Sequence, residues 1–210
     1  IDLAVNPTNK DEWFVAAASG GGWHTKNHGI TFEPIFDNYG SYSIGCIEMA
    51  PSNSNTIWIG SGENNNQRSV SYGDGVYKSI DGGKSFTNMG LKQSEHIGSI
   101  VIHPSNEQII WVAAYGPLWS KGGERGVYKS VDGGKTWNRT LFVSDETGIA
   151  EVHIDPSNPN ILYASAHQRR RHEWTYIGGG PESTVYKSTD GGETWREISA
   201  GLPKNDMGRV

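Results

Sequence analysis

One eight-residue pattern recurs along the chain and restricts its fold more than any other feature. It reads Ser, any residue, Asp-Gly-Gly, any residue, Ser or Thr, and then an aromatic residue, and it starts at Ser79, Ser130 and Ser188. A degenerate copy occupies residues 25–32 and has Asn27 in place of the Asp. The marker positions 27, 81, 132 and 190 are separated by 54, 51 and 58 residues. Such regular repetition predicts a repeat architecture.

Each copy of the pattern predicts a tight β-hairpin. The glycines tolerate the positive φ that a short connection between strands requires. The Asp carboxylate is placed to accept hydrogen bonds from backbone N–H groups and from the Ser or Thr hydroxyl. The final aromatic side chain is a large apolar group for the seam between neighbouring sheets. A structural role is therefore expected for Asn27, Phe32, Asp81, Phe86, Asp132, Trp137, Asp190 and Trp195.

Two more strands precede each hairpin. The first ends in a turn in which Pro is followed by Ser or Thr and then Asn, at Pro7, Pro51, Pro104 and Pro156. Pro fixes φ, and the Ser and Asn side chains bond to the local backbone, so this is a tight turn. A second strand follows, and the hairpin joins a third strand to a fourth. Four short strands per repeat predict an all-β fold in which each repeat is one blade of a β-propeller.

The repeat also sets the expected organisation of the chain. We place four blades at residues 1–42, 43–95, 96–146 and 147–206, and the start of another at 207–210. The sequence opens inside one strand pattern and stops inside another, which predicts a piece of a larger propeller with further blades or domains.

Composition excludes several classes of function. The 210 residues have a net charge of −5 and no long basic stripe, which argues against nucleic acid as the partner. No apolar run is long enough to span a membrane. The seven histidines show no metal-ligand spacing, so neither a metal nor a cofactor is expected. Cys46 lies in an apolar run and is expected to be a buried small hydrophobe.

The variable loops are the expected binding residues. In an antiparallel meander, the loops between strands two and three and those between blades share one face, and the hairpins lie on the other. Function is usually carried by loops on a rigid scaffold. The candidates are Arg169, Arg170, Arg171, His172, Glu173, Trp174 and Tyr176 in repeat four, Glu63, Asn64, Arg68 and Tyr72 in repeat two, Trp119 in repeat three, and His96.

Alternatives remain open at each candidate. An Arg cluster with aromatic neighbours is suited to a carboxylate, a sugar or an acidic peptide, but residues 169–176 could equally form a solvated loop or pack on another domain. The loop around Glu63 suits hydrogen bonding to carbohydrate or the stabilisation of turns. His96 opens a first strand and could face the central channel. We expect a local ion pair between Glu124 and Arg125.

The hairpin pattern is identified as the Asp-box, or BNR repeat, which sialidases, xyloglucanases and sortilin-type propellers share. The segments 43–46, 60–63, 72–79 and 96–100 further resemble a group of bacterial exported proteins described as sortilin-like or BNR-repeat glycosyl hydrolase-like. That resemblance implies a location outside the cytoplasm.

Comparison with the enzymes of this group identifies no catalytic set. Sialidases need arginines from different blades, which the consecutive Arg169 to Arg171 do not supply. Xyloglucanases need two Asp residues facing each other across a cleft, and the partner of Asp2 would lie outside this chain. The Asp-box carboxylates lie in separate blades, whereas catalytic pairs lie roughly 5–9.5 Å apart. We therefore expect a domain that binds a protein, a peptide or a glycan. The alternatives are part of a glycoside hydrolase and an architectural subunit of a surface assembly.

Overall fold

The computed structural model describes residues 2–65, 70–203 and 207–209, and the candidate Arg68 lies outside these ranges. Regular structure in them consists of strands and one short 3-10 helix. The elements are β1 Asp2–Val5, β2 Trp13–Ala17, β3 Gly21–Thr25, β4 Glu33–Pro34, β5 Ile44–Met49, β6 Ile57–Ser61, β7 Val76–Ser79, β8 Thr87–Asn88, the 3-10 helix Lys92–Ser94, β9 Ile97–Ile102, β10 Ile110–Ala114, β11 Gly126–Ser130, β12 Asn138–Leu141, β13 Thr147–Asp155, β14 Asn158–Arg171, β15 Tyr176–Gly178, β16 Thr184–Ser188 and β17 Arg196–Glu197.

The strands form four antiparallel sheets, which we call blades 1 to 4. They consist of β1–β4, β5–β8, β9–β12, and β13, β14, β16 and β17 in order, while β15 pairs with the far end of β14. The first strands β1, β5, β9 and β13 contact one another in succession, so the blades are arranged around a common axis. The predicted propeller architecture is confirmed. We call the face with the loops between strands two and three the upper face, and the face with the Asp-box turns the lower face.

The core is divided into three clusters, each packed between two consecutive blades. Alternation along a strand sends its odd and even side chains to opposite sides of the sheet, so blades 2 and 3 each contribute to two clusters, and blades 1 and 4 each contribute to one. Phe14 of β2 packs with Ile47 and Ile57 of blade 2, and Trp111 of β10 packs with Val152 and Leu162 of blade 4. Cys46 is buried in the cluster between blades 2 and 3, as predicted.

Hydrogen bonds lock each Asp-box turn. In blade 3, the Ser130 hydroxyl donates to Asp132 Oδ1 at 2.8 Å and accepts the N–H of Gly134 at 2.8 Å. The carboxylate of Asp132 accepts the Thr136 hydroxyl at 2.6 Å and the Thr136 N–H at 2.9 Å. These bonds, led by that from the Thr136 hydroxyl, lower the pKa of Asp132 to about 2. The carboxylate is thus occupied within its own turn.

The turns also hold neighbouring blades together. The ring of Trp58 in β6 lies directly against Gly134, where a Cβ would be 2.3 Å from the ring. One blade further on, Trp111 Nε1 donates to the carbonyl of Gly191 at 3.1 Å. Each of these Asp-box turns therefore docks on an aromatic side chain of the preceding blade.

Blade 1 differs because no described residue covers its outer side. Leu3 is 51% exposed, whereas Ile47, which takes the same place before the Pro turn of blade 2, is 1% exposed. Phe32 is also exposed, whereas Phe86 packs into the core between blades 1 and 2. The outer side of blade 1 is thus an apolar sheet face.

Candidate functional site

The Arg-rich segment of blade 4 is a β-hairpin, and the prediction that it forms a loop was wrong. Strand β14 continues through Arg171, which pairs with Tyr176 of β15. At the tip, the N–H of His172 donates to the carbonyl of Thr175 at 2.8 Å. The N–H of Arg171 donates to the carbonyl of Leu118 in blade 3 at 2.9 Å. These bonds extend the blade upward as a rigid projection.

Arg169 lies at the base of this hairpin and is fully buried. Its guanidinium carbon is 3.5 Å from the ring centre of Tyr115, a cation–π contact from blade 4 to blade 3. Its Nη1 donates to the backbone oxygen of Asn64 at 3.4 Å. Arg209, which follows blade 4, donates from its own Nη1 to the same oxygen at 3.4 Å. One carbonyl of blade 2 therefore receives two arginines from distant parts of the chain.

Tyr115 and His167 form a buried pair beside Arg169. The Tyr115 hydroxyl is hydrogen-bonded to His167 Nδ1. Burial raises the pKa of Tyr115 to about 12 and lowers the pKa of His167 to about 4. Both groups are therefore neutral near pH 7, and the pair contributes no charge of its own.

His96 is fully buried, whereas the sequence left open that it could face the central channel. It immediately precedes β9, and its ring centre is 6.0 Å from that of Tyr72. Burial, and then the charge of Arg169, lower the pKa of His96 to about 3, so the imidazole is neutral.

Glu63 and Asn64 are also buried, whereas the sequence suggested an open polar loop. The Asn64 side-chain amide donates to the carbonyls of Gly45 at 3.1 Å and Gly98 at 2.9 Å, which ties the first strands of blades 2 and 3 together. The N–H of Glu63 donates to the Ser43 hydroxyl at 2.9 Å. This part of the loop supports the scaffold of the upper face.

The predicted ion pair between Glu124 and Arg125 does not form. Arg125 is fully buried, and its guanidinium donates to four carbonyls of its own loop, those of Tyr115, Pro117, Ser120 and Gly122. Glu124 accepts the N–H of Gln93 at 2.8 Å instead. A buried guanidinium needs several acceptors, and the closely wound backbone supplies them. Arg125 therefore shapes the loop of blade 3 from inside.

Among the described residues, several exposed aromatic rings lie on the upper face. Trp174 at the hairpin tip is 81% exposed, and its ring lies nearly parallel to that of His172 at 5.4 Å between ring centres. Tyr72 is 55% exposed and Trp119 is 43% exposed, each in the loop of its own blade. Tyr42, between blades 1 and 2, is 61% exposed. Glu173 is exposed beside Trp174.

The first strands line an open polar cavity of about 360 Å³ on the axis side. Its lining includes the carboxyl groups of Asp2, Glu48 and Glu151, together with Arg209. Burial, and then the charge of Asp2, raise the pKa of Glu48 to about 7. Glu151 accepts a hydrogen bond from Arg209 Nη2 at 3.1 Å. The cavity thus holds one acid that is partly protonated near neutral pH.

Two features are absent from the described ranges. No helix there has the length and apolar character needed to cross a membrane. Among the same residues, no group of three or more His, Cys, Asp and Glu side chains is arranged to hold a metal ion.

Sequence reasoning missed several residues that the fold brings to the upper face and axis. Tyr42 could have been found, because connections between blades were expected on the same face as the loops between strands two and three. Arg209 and Tyr115 carry no local signal, since they approach Arg169 only through the packing of blades.

Asp-box turns at a regular spacing and sheets arranged around one axis define this chain as part of an Asp-box β-propeller. The family model for sortilin and neurotensin receptor 3, Sortilin-Vps10, matches residues 74–207, well over half of the chain. The chain belongs to the Sortilin-Vps10 family.

Its relatives include xyloglucanases. The xyloglucanase Xgh74A of Acetivibrio thermocellus is 25% identical over 96% of this chain, which spans 26% of the enzyme. The GH74 enzyme of Niastella koreensis is 26% identical over 93% of this chain and 28% of its own, with a TM-score of 0.68. The GH74 xyloglucanase of Xanthomonas campestris, at 18% identity and a TM-score of 0.67, shares the fold over 93% of this chain and 29% of its own. The chain thus spans about a quarter of the length of these relatives.

Proposed function

We propose that the upper face of this propeller binds a glycan. The observation that carries the proposal is the set of exposed aromatic rings on one face, from Tyr42 between blades 1 and 2 to Trp174 in blade 4. A large ring that is left in water on a rigid support is suited to packing against a partner. Sugar rings present flat C–H faces that fit such a surface, and their hydroxyls fit the polar groups around it. The relation to xyloglucanases supports a polysaccharide over a peptide.

The hairpin tip supplies the most exposed aromatic ring of this surface, on a well-supported backbone. Trp174 is more exposed than Tyr42, Tyr72 and Trp119, and its ring stacks on that of His172. The hairpin beneath it is fixed to blade 3 through the bond between Arg171 and Leu118. A preorganised ring loses little freedom on binding, which favours affinity.

Binding of neutral β-glucans, xyloglucan included, to the full-length protein tests the proposal. We expect Trp174→Ala and Trp119→Ala each to weaken binding by about tenfold or more, measured by isothermal titration calorimetry, because each removes a large contact. Ile80→Ala is the matched control, because Ile80 is an exposed apolar residue on the lower face. If the three variants bind these β-glucans with equal affinity, or if none of the β-glucans binds to the protein, the proposal is contradicted.

A second candidate function is glycoside hydrolysis, with this chain forming part of the site. Two observations favour it: the relation to GH74 enzymes over almost the whole chain, and a partly protonated Glu48 beside Asp2 in a polar cavity. A carboxylic acid with a raised pKa next to a charged carboxylate is the pairing that glycoside hydrolysis uses. Release of reducing sugar by the full-length protein, lost in Glu48→Gln, would establish this function, and a lack of cleavage across the panel would reject it.

We further propose that the protein acts outside the cytoplasm, where polysaccharides of this kind are found. Its similarity to GH74 enzymes supports this location. Fractionation of the producing cells would test it, and recovery of the protein only in the cytosol would contradict it.

A further inference from the structure

An open cavity lies on the lower face, between blade 1 and the Asp-box turn of blade 2. Its volume is about 470 Å³, which is within the range of small-molecule sites. His24 of β3 lines one side of it, and Gly82 of the Asp-box turn lines another. Because the chain repeats, the other junctions between blades show which group usually lies between these two positions.

At the junction of blades 2 and 3, a lysine takes this place. Lys78 of β7 corresponds to His24, since each residue comes directly before the Ser or Thr that begins its Asp-box. The ammonium of Lys78 lies 5.3 Å from the ring centre of Trp58 and donates to the carbonyl of Gly133 at 3.1 Å. Gly133 is the first glycine of its Asp-box, as Gly82 is in blade 2.

The junction of blades 3 and 4 is filled in a similar way. Lys129 holds the lysine position there, and its ammonium donates to Glu193 Oε1 in the Asp-box turn of blade 4 at 2.6 Å. The first glycine of that turn, Gly191, accepts the indole N–H of Trp111 at 3.1 Å. At both junctions, nitrogen donors of one blade therefore bind acceptors on the turn of the next blade.

The junction of blades 1 and 2 has neither donor. His24 pairs within its own blade, because its Nε2 is hydrogen-bonded to Glu12 Oε1 at 2.9 Å and its ring stacks on Phe14 at 4.1 Å between ring centres. Phe14 holds the tryptophan position of the other two junctions and has no N–H to donate. The carbonyl of Gly82 accepts no hydrogen bond from any residue that the structure describes. The cavity therefore takes the place of a missing ammonium group.

The buried groups left for a ligand are hydrogen-bond acceptors. Since the Glu12 carboxylate takes the Nε2 proton of His24, the neutral imidazole has a lone pair on Nδ1. The carbonyl of Gly82 is a second acceptor. The charged side chains of the lining are exposed and their charges cancel, so they favour neither an anion nor a cation. They are Lys26, Glu33, Asp37 and Lys84.

We propose that this cavity binds a primary ammonium group, which is supplied by a small amine or by a lysine side chain of a partner protein. An ammonium group has three donors and no acceptor, which fits the carbonyl of Gly82 and Nδ1 of His24. A carboxylate or a phosphate would bring further acceptors to the same groups and is disfavoured. Since the cavity lies on the lower face, this inference goes beyond the glycan binding proposed for the upper face.

Ligand-observed NMR titration of the full-length protein tests the proposal. The probes are n-butylammonium, a short glycine peptide with one central lysine and blocked ends, and butan-1-ol as the neutral control. We expect n-butylammonium to bind at least tenfold more tightly than butan-1-ol. Binding of the peptide with similar affinity identifies a lysine of a partner as the source of the ammonium group, whereas binding of n-butylammonium alone identifies a small amine.

Two substitutions should change the affinity in opposite directions. His24→Lys places the lysine of the other repeats at the cavity, so binding of n-butylammonium should weaken by at least tenfold. Lys84→Glu introduces a carboxylate at the position of Glu193, which binds a lysine at the junction of blades 3 and 4. Binding should therefore tighten at least threefold, with a gain that shrinks as NaCl is raised.

His28→Lys and Lys135→Glu are the matched controls. They make the same changes at exposed positions outside the cavity lining and should leave the affinity unchanged. Circular dichroism establishes that each variant is folded, and Lys84→Glu keeps the test decisive if His24→Lys does not fold, because Lys84 is exposed. The inference is overturned if butan-1-ol binds as tightly as n-butylammonium, or if Lys84→Glu leaves the affinity for n-butylammonium unchanged.

Discussion

Glu48 places a carboxylic acid in the axial cavity with a pKa of about 7, above the ordinary value of 4.5. The unfolded chain ionises this group at the lower pH, so the folded state binds more protons between the two values. The free energy of unfolding should therefore fall as pH rises from about 4.5 to about 7 and stay low above that. Each pKa unit corresponds to ~1.4 kcal/mol, so the loss is on the order of 3 kcal/mol.

Urea denaturation at pH 5 and pH 8 measures this effect. Glu48→Gln keeps the shape and removes the titration, so its unfolding free energy should depend less on pH than that of the wild type. Glu33→Gln, at an exposed position on β4, serves as the control and should retain the wild-type dependence. Identical pH profiles for Glu48→Gln and the wild type would exclude Glu48 as the source.

Single residues also mark the limit of sequence reasoning. The residue types of the Arg-rich segment indicated binding, but Arg169 is buried and Trp174 is exposed within the same short stretch. The surroundings of Arg169 come from Asn64, 105 residues away, and from Tyr115. Contacts of this range depend on how blades pack, which a local pattern does not encode.

At the scale of elements, the Asp-box turn acts as a joint between blades. Gly134 has a φ of +88°, and a Cβ there would lie 2.3 Å from the Trp58 ring. Gly122 has a similar φ of +74° with nothing within 4 Å of the Cβ position. Gly134→Ala should therefore lower the free energy of unfolding by at least about 2 kcal/mol more than Gly122→Ala does. Both substitutions strain the backbone, but only the new Cβ at position 134 clashes with a side chain of a neighbouring blade.

Chemical denaturation of both variants measures this difference. Equal losses of stability would mean that the backbone conformation alone governs the turn and that the contact with Trp58 adds nothing.

The elements differ in how far the sequence predicts them. The strands of the four blades follow from the Pro turns and from the Asp-box hairpins, of which the copy in blade 1 is degenerate, and both are local signals. The length of β14 does not follow from local signals, because Arg and His have no strong strand preference. The extension of this strand is stabilised by β15 and by Leu118 of another blade.

For the whole molecule, the exposed outer side of blade 1 indicates where a further blade packs. Leu3 occupies the place that Ile47 takes in blade 2, and Ile47 is buried against blade 1. In the full-length protein, Leu3→Ser should destabilise the fold by about 2–4 kcal/mol, as the truncation of a buried core residue does.

Thermal unfolding of the full-length protein tests this expectation. Ile80→Ser is the control, because Ile80 is exposed at a lower-face turn and should tolerate the change. If Leu3→Ser is as harmless as Ile80→Ser, the outer side of blade 1 is open to solvent in the complete protein.

The architecture of the whole molecule was predictable because it repeats, and repetition multiplies a weak local signal. The arrangement of the upper face was not predictable, because its residues do not follow the repeat. Each blade has a different loop there, and each contact between those loops occurs only once.

The carbonyl oxygen of Asn64 has a consequence for the history of such a chain. Repeat proteins grow and shrink by copying or deleting whole units, and this is tolerated when units touch only their neighbours. Here a backbone atom of blade 2 receives arginines from blade 4 and from the segment beyond it. Removal or duplication of blade 3 would separate these groups, so we expect this stretch to be inherited as a block, with blades that are not interchangeable.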